Sequence, residues 1–262
     1  MKFKYKKLII MSGLLIVIAM FGIGVKLFVS KDLIKIESRV DNIINYQKEK
    51  TDYKVNAWLR VPGTNIDYPV LEGKEDIMYQ DGSVQFLWQR GSLDKLNRIN
   101  LIMGHNIMNL SSNPLITDSN HVRFEQLMSF TYLDFAKENQ YIQLTIEDKD
   151  YLFKIFSVSY PYSGDVITNN SDKYGTEDVE KLITQSLKDS IYNYDIDVNK
   201  NDTIVSLITC TRMFGNNSRE FRVDARLLRK NEKIRRYQVV KSDKYKEVET
   251  RMKGEIEENE EV

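Results

Sequence analysis

Apolar and polar positions fall into three regimes along the chain. Leu8 to Val25 form an uncharged run, LIIMSGLLIVIAMFGIGV, and after Lys26 the residues Leu27, Phe28 and Val29 resume it. As a helix rising 1.5 Å per residue, the run would be roughly 27–33 Å long, about the thickness of a bilayer's hydrocarbon core. Lys26 stands near the far end, where its stem can extend outward. Lys2, Lys4, Lys6 and Lys7 precede the run. That asymmetry predicts a cytoplasmic basic N-terminus at 1–7, a single-pass transmembrane anchor at 8–29 and an extracytoplasmic body, hence a cell-membrane protein. The competing reading is a cleaved signal peptide; the run exceeds a typical h-region and no A-x-A-like site follows it.

The second regime is helical. From Lys31 to Lys50, Leu33, Ile36, Val40, Ile43 and Ile44 recur at three-to-four spacing with charges between them, which predicts an amphipathic helix within a region spanning 30–54. The third, from about Val55 to residue 229, alternates strand-like runs with turn signals. The runs are IDYPVLE (66–72), RINLIMG (98–104), YIQLTIE (141–147), DYLFKIFSVSY (150–160), DTIVSLIT (202–209) and FRVDARLL (221–228). Pro-Gly at 62–63, Asp-Gly at 81–82 and Arg-Gly at 90–91 punctuate them. Helical patterns are fewer: Phe124 to Phe135, and a segment opened by Thr176 as N-cap and running to Ser190. Many strands with few helices predict a mostly β fold, a closed or nearly closed barrel with peripheral helices. Beyond Arg229 the chain is charge-dense and ends in GEIEENEEV, so 230–262 reads as a charged tail outside the core.

Composition narrows the function classes. The 262 residues carry 38 Lys+Arg against 38 Asp+Glu, so net charge supplies no reason to propose a nucleic-acid partner. A single Cys excludes a disulfide framework, a Cys-rich zinc module and an iron–sulfur cluster. No metal-ligand cluster is visible and no cofactor is expected. Fifteen Tyr and eleven Phe suit pleated, half-buried surfaces.

The chemistry then rests on few residues. Cys210 ends the apolar strand DTIVSLIT and is followed by the polar TRMFGNNS, so the strand can fix a thiol at the lip of a loop. A lone Cys is more often a small buried hydrophobe. His105 shows the same arrangement, with INLIMG running into His105-Asn106. In the segment 218–226, Phe221, Val223 and Ala225 share one strand face and Arg222, Asp224 and Arg226 the other.

These segments carry a resemblance. VNAWLRVPGTNIDYPVLEG (55–73), LIMGHNI around His105 and SLITC ending at Cys210 resemble sortases, membrane-anchored cysteine transpeptidases of Gram-positive bacteria, and class B most closely. The resemblance covers roughly residues 30–229, with a catalytic domain at 55–229. It implies an eight-stranded β-barrel preceded by an N-terminal helical region, with Cys210 as nucleophile and His105 as acid/base. The arginine departs from the family's pattern, because counting back from the small residue Ala225 puts Glu220 in its slot. Arg222 is the favoured candidate, on the same face two residues along, and Arg219 is the alternative, on the opposite face unless a bulge resets the phase. Packing of the apolar face under outer helices would aim Arg222 at Cys210 and leave Arg219 in solvent. His121 is the rival histidine, in SNHVRFEQL at a helix start.

The reaction implied is attack of the Cys210 thiolate on a peptide carbonyl, formation of an acyl-thioester, and its resolution by an amine. His105 protonates the departing amine and later deprotonates the incoming one. The implied partners are exported proteins bearing a C-terminal sorting signal and an amine from peptidoglycan or a pilin lysine. The contrasting expectation is a membrane-tethered, non-enzymatic surface domain in which Cys210 is structural and buried.

Overall fold

The computed structural model describes residues 35–49, 54–73, 87–90, 93–106, 124–162, 174–211, 213–214 and 219–260. The apolar run at 8–29 and His121 lie outside them. Among the described residues no helix is long and apolar enough to cross a membrane. The chain divides into two units, Met1–Lys35 and Ile36–Val262, and the second contains everything that follows.

Eight strands close into a barrel: β1 (Val55–Arg60), β2 (Asp67–Gly73), β3 (Leu87–Arg90), β4 (Ile99–Gly104), β5 (Tyr141–Ile146), β6 (Lys149–Ser159), β8 (Ile204–Cys210) and β9 (Glu220–Leu227). Their order around the barrel is β1-β2-β3-β4-β8-β9-β6-β5. Closure removes the exposed edges that an open sheet of these strands would present. Two contacts, β2–β3 and β4–β8, are parallel and the rest antiparallel. The six strand-like runs of the sequence all fall on strands of this barrel. Among the described residues β3 pairs with β2 from Val70 onward, so no described ladder bond to β3 involves Pro69.

Alternation sorts the side chains. Leu59, Leu144, Phe153, Ile155, Val205, Leu207, Phe221, Val223 and Ala225 fill the barrel interior. On the outside, Val179, Leu182 and Ile183 of α3 (Thr176–Asp189) pack on Ile99, Leu101, Phe156, Ile204 and Ile208. The apolar face of β9 therefore points into the barrel, and its charged face lies outward. This reverses the expectation that the apolar face packs under outer helices. The N-cap of α3 is Gly175 rather than Thr176: Asp178 reaches back to accept the Gly175 N–H at 2.8 Å, so the third helical residue supplies the cap.

Two other helical expectations change. Among the described residues of the amphipathic segment, α1 covers Val40–Glu49 and residues 35–39 are not helical. Before it, Gln143 accepts the Glu37 N–H at 3.2 Å and donates to its carbonyl at 2.6 Å, holding the chain extended. Arg39 donates to both oxygens of Asp67, at 2.9 and 2.7 Å, and Trp58 Nε1 donates to the same carboxylate at 2.6 Å. Burial alone would raise the Asp67 carboxyl, but these bonds outweigh it and hold the group below its ordinary value. Ile43 packs on Val55, Trp58, Leu71 and Trp88, whereas Ile36 and Ile44 stay exposed. The second segment is a 3-10 helix, Glu125–Thr131, followed by α2, Leu133–Glu138, with extended Tyr132 between them.

The charged tail is also corrected. Residues 229–248 are folded onto the body: β10 (Val239–Lys241) pairs with β7 (Tyr192–Tyr194), and α4 (Tyr245–Glu260) follows. Val239, Tyr245 and Val248 belong to the core. The charges are accommodated because they meet partners. Glu232 takes a two-pronged bond from Arg226 at 2.7 and 2.8 Å and another from Lys154 at 2.8 Å. Arg226 is 2% exposed, and a bare charge there would be costly.

Candidate functional site

The parallel contact between β4 and β8 brings distant residues together. Its register runs from Ile99↔Ile204 to Met103↔Ile208. Two residues beyond that last pair stand His105 and Cys210, so the register carries them side by side on neighbouring strands about 4.8 Å apart. Both then share the outer face of Met103 and Ile208. The strand ends are stitched together: Thr209 Oγ1 donates to the Gly104 carbonyl at 2.7 Å, and Asn106 Nδ2 donates to the Cys210 carbonyl at 3.1 Å. Cys210 is exposed although the other six residues of β8 are buried. That exposure contradicts the expectation of a buried structural thiol.

His105 is held from three sides. Its ring lies 5.0 Å from that of Trp88, tilted by 50°. Its carbonyl accepts the Phe124 N–H at 3.2 Å. Gly104 precedes it because a Cβ there would stand 2.7 Å from both Leu87 Cδ2 and the Phe124 ring. The glycine lets those apolar groups pack beneath the histidine.

The two arginines are placed differently from the sequence expectation. Arg222 lies on the face of Cys210, opposite Ile208, but it is 2% exposed. Its Nε donates to Asp224 Oδ1 at 2.6 Å and its Nη2 to Ser206 Oγ at 2.8 Å. Both partners lie one cross-strand pair further from Cys210, so the guanidinium is tied away from the thiol. Arg219 bridges to Tyr162 on the opposite face. It is not free in solvent: the guanidinium lies 4.1 Å over Phe214 and 4.7 Å over Tyr162 and pairs with Glu247 at 3.3 Å.

Directly opposite Cys210 on β9 stands Glu220. Cross-strand partners share a face, so β4, β8 and β9 present His105, Cys210 and Glu220 in one row. Spacing to Ala225 had put Glu220 in the arginine slot, but no local pattern marked it as a neighbour of the thiol. Thr209 and Asn106 were likewise missed, since their role depends on a bond across strands. Among the described residues no group of three His, Cys, Asp or Glu could hold a metal ion. A thiol beside an imidazole suits thiolate chemistry, because an imidazolium favours the charged sulfur.

Comparison with known proteins gives a consistent result. The Sortase domain family model matches residues 59–228, more than half of the chain. The chain is 22% identical over 191 residues to Sortase B of Staphylococcus aureus (strain NCTC 8325 / PS 47), covering 69% of this chain and 73% of that protein. It is 25% identical over 180 residues to Sortase B of Listeria monocytogenes, covering 65% and 67% respectively. The X-ray structure of Clostridium perfringens sortase B is similar with a TM-score of 0.57 at 26% identity, over 71% of this chain and 99% of that one.

Proposed function

The chain belongs to the sortase family, and we propose that it is a class B-like cysteine transpeptidase using Cys210 as nucleophile and His105 as acid/base. The observation that carries this reading is the exposed thiol at the end of β8, set beside His105 by the parallel β4–β8 register. The thiolate attacks a peptide carbonyl and the amine leaves with a proton from His105. The resulting acyl-thioester is resolved by a second amine. Arg222 is the arginine proposed to stabilise developing negative charge, since it shares the Cys210 face and a guanidinium remains protonated. That role requires the guanidinium to turn from Asp224 towards the thiol.

The substrates proposed are exported proteins with a C-terminal sorting signal, and the acceptor is an amine of peptidoglycan or of a pilin lysine. The enzyme is proposed to sit on the outer side of the cell membrane, held by the apolar run at 8–29. The four lysines before that run support this orientation.

A peptide library bearing candidate sorting sequences, followed by mass spectrometry of the intact protein, tests the reading. A covalent acyl adduct should form on the wild type and vanish in Cys210→Ala, which should remain folded because a surface thiol makes little packing. His105→Ala should lose turnover. An adduct persisting in the alanine variant at 210 would end the proposal.

A further inference from the structure

Trp88 is almost fully buried, yet it stands against the histidine of an open site. We infer that Trp88 is a positioning residue: its indole fixes the imidazole of His105, and α1 holds the indole in place. The inference rests on the transpeptidase reading above. The β3–β4 ladder pairs Leu87 with Gly104 and Trp88 with Met103. Trp88 therefore shares the outer face of Met103, and His105, two residues further along the chain, is its diagonal neighbour. Diagonal neighbours stand about 7–8 Å apart, a gap that an aromatic side chain can bridge. The indole does so: the two rings lie 5.0 Å apart, tilted by 50°. That separation falls within the roughly 4.5–7 Å of favourable aromatic pairs.

The indole has little room to turn away. It is 4% exposed and belongs to a cluster with Ile43, Val55, Trp58 and Leu71. Those residues come from α1, β1 and β2, so three elements set the plane of the ring. Met103, its cross-strand partner, packs against the same cluster. Rings packed to the density of a protein interior move little, and a loss of volume on one side is felt on the other. Ile43 is the link to α1, since it is buried in this cluster while Ile36 and Ile44 are exposed.

His105 needs such a support more than a core residue would. It lies just past the end of β4 and is only half-buried. The outer torsion of a histidine side chain is broad, so the backbone alone does not choose the direction of the ring nitrogens. Both proton transfers proposed for His105 depend on that direction. A misplacement of about 1 Å can cost on the order of 10²-fold in rate. An indole restrains the ring without adding a titratable group beside it. The N-terminal helix thereby acts on the chemistry through one buried ring, without touching the thiol.

The test uses full-length protein in detergent and the peptide that gives the Cys210 adduct. In Trp88→Leu, kcat should fall at least about tenfold while KM holds within about twofold, because a misdirected acid/base slows chemistry rather than binding. Trp88→Phe keeps an aromatic face and should recover most of kcat; it also covers the case in which the leucine variant folds poorly. Ile43→Ala, which touches only the far side of the indole, should lower kcat by a few-fold. Leu182→Ala, in the separate cluster under α3, should lose stability without losing kcat. Ring-proton spectra of histidine-labelled protein give a second readout, and with two histidines in the chain His121→Ala assigns the His105 signal. That signal should be sharp in the wild type and broadened by exchange in Trp88→Leu. An unchanged kcat in Trp88→Leu, an equal loss in Trp88→Phe or in Leu182→Ala, or a His105 signal that stays sharp would overturn the positioning role. An unchanged kcat in Ile43→Ala would overturn the support from α1. Absence of any adduct on the wild type would instead sink the transpeptidase reading, while the spectra would still report on the ring.

Discussion

The β8–β9 ladder has a functional group at each end, and the two ends are built differently. At one end Ile204 pairs with Arg226, whose guanidinium is buried and bound by both oxygens of Glu232, with Lys154 completing the cluster. At the other, Cys210 pairs with Glu220; the thiol is exposed and the carboxylate half-buried. Between them Arg222, Asp224 and Ser206 form a buried link in which Asp224 Oδ2 has no hydrogen-bond partner. What differs is the chain that follows. After β9 the segment 229–248 folds back and supplies partners for charge, which makes that end a clamp. Paired, buried charge is concentrated at the clamped end, and the exposed thiol stands at the open one.

Arg222→Ala should break this contrast most severely, because the residue lies in the buried link between the two ends. Loss of the transition-state donor proposed for this position should lower the acylation rate by at least about 10²-fold. It also leaves Asp224 buried without its cation, a loss of about 3–5 kcal/mol for a buried pair. Arg222→Lys restores the charge but not the planar fork, so it should recover stability better than rate. Arg219→Ala should stay within several-fold of wild type in rate. Stopped acylation assays paired with urea melts separate the two effects, and the reverse ranking would show that Arg219 is the arginine that acts.

Glu232→Gln tests the clamp alone. Breaking its bonds to buried Arg226 and Lys154 should destabilise the fold by about 3 kcal/mol or more. The acylation rate of the folded fraction should be unchanged. Hydrogen bonds from Arg226, opposed by burial and then reinforced by Lys154, hold the Glu232 carboxyl well below its ordinary value. Folding therefore favours the ionised form. The stabilisation is present above the unfolded value of about 4.3 and is lost as pH falls below it. Urea midpoints of wild type should consequently drop on acidification across that range, and the glutamine variant should drop less.

The smallest effect sharpens the open end. Gly104→Ala places a methyl against Leu87 and the Phe124 ring, where overpacking costs about 1–3 kcal/mol. Because the shift falls beside His105, turnover should decline more than binding of the peptide, visible as a lower kcat at similar KM. An unaffected kcat would mean the Phe124 ring yields without moving the histidine.

Much of this molecule is legible along the chain, for reasons of short range. Period-two alternation in 221–227 separates Phe221, Val223 and Ala225 from Arg222, Asp224 and Arg226, and the strand does keep that separation. Polar sequence after an apolar run puts Cys210 and His105 at strand ends, where the structure finds them. Such signals are local, set by backbone geometry and by the burial of adjacent residues. Tertiary structure decided which face is inside. Barrel closure turned the apolar side of β9 inward and left Arg222 and Arg226 on the outer face, bound to neighbours. The tail joined the core for a similar reason: Val239, Tyr245 and Val248 are too sparse to form a recognisable apolar stripe, yet they meet an apolar surface supplied by other elements. The closeness of His105 to Cys210 arises from a parallel pairing between strands about one hundred residues apart in the chain, and the facing of Cys210 by Glu220 from an antiparallel one. Cross-strand hydrogen bonding determines such neighbours, and no spacing along a single strand encodes them.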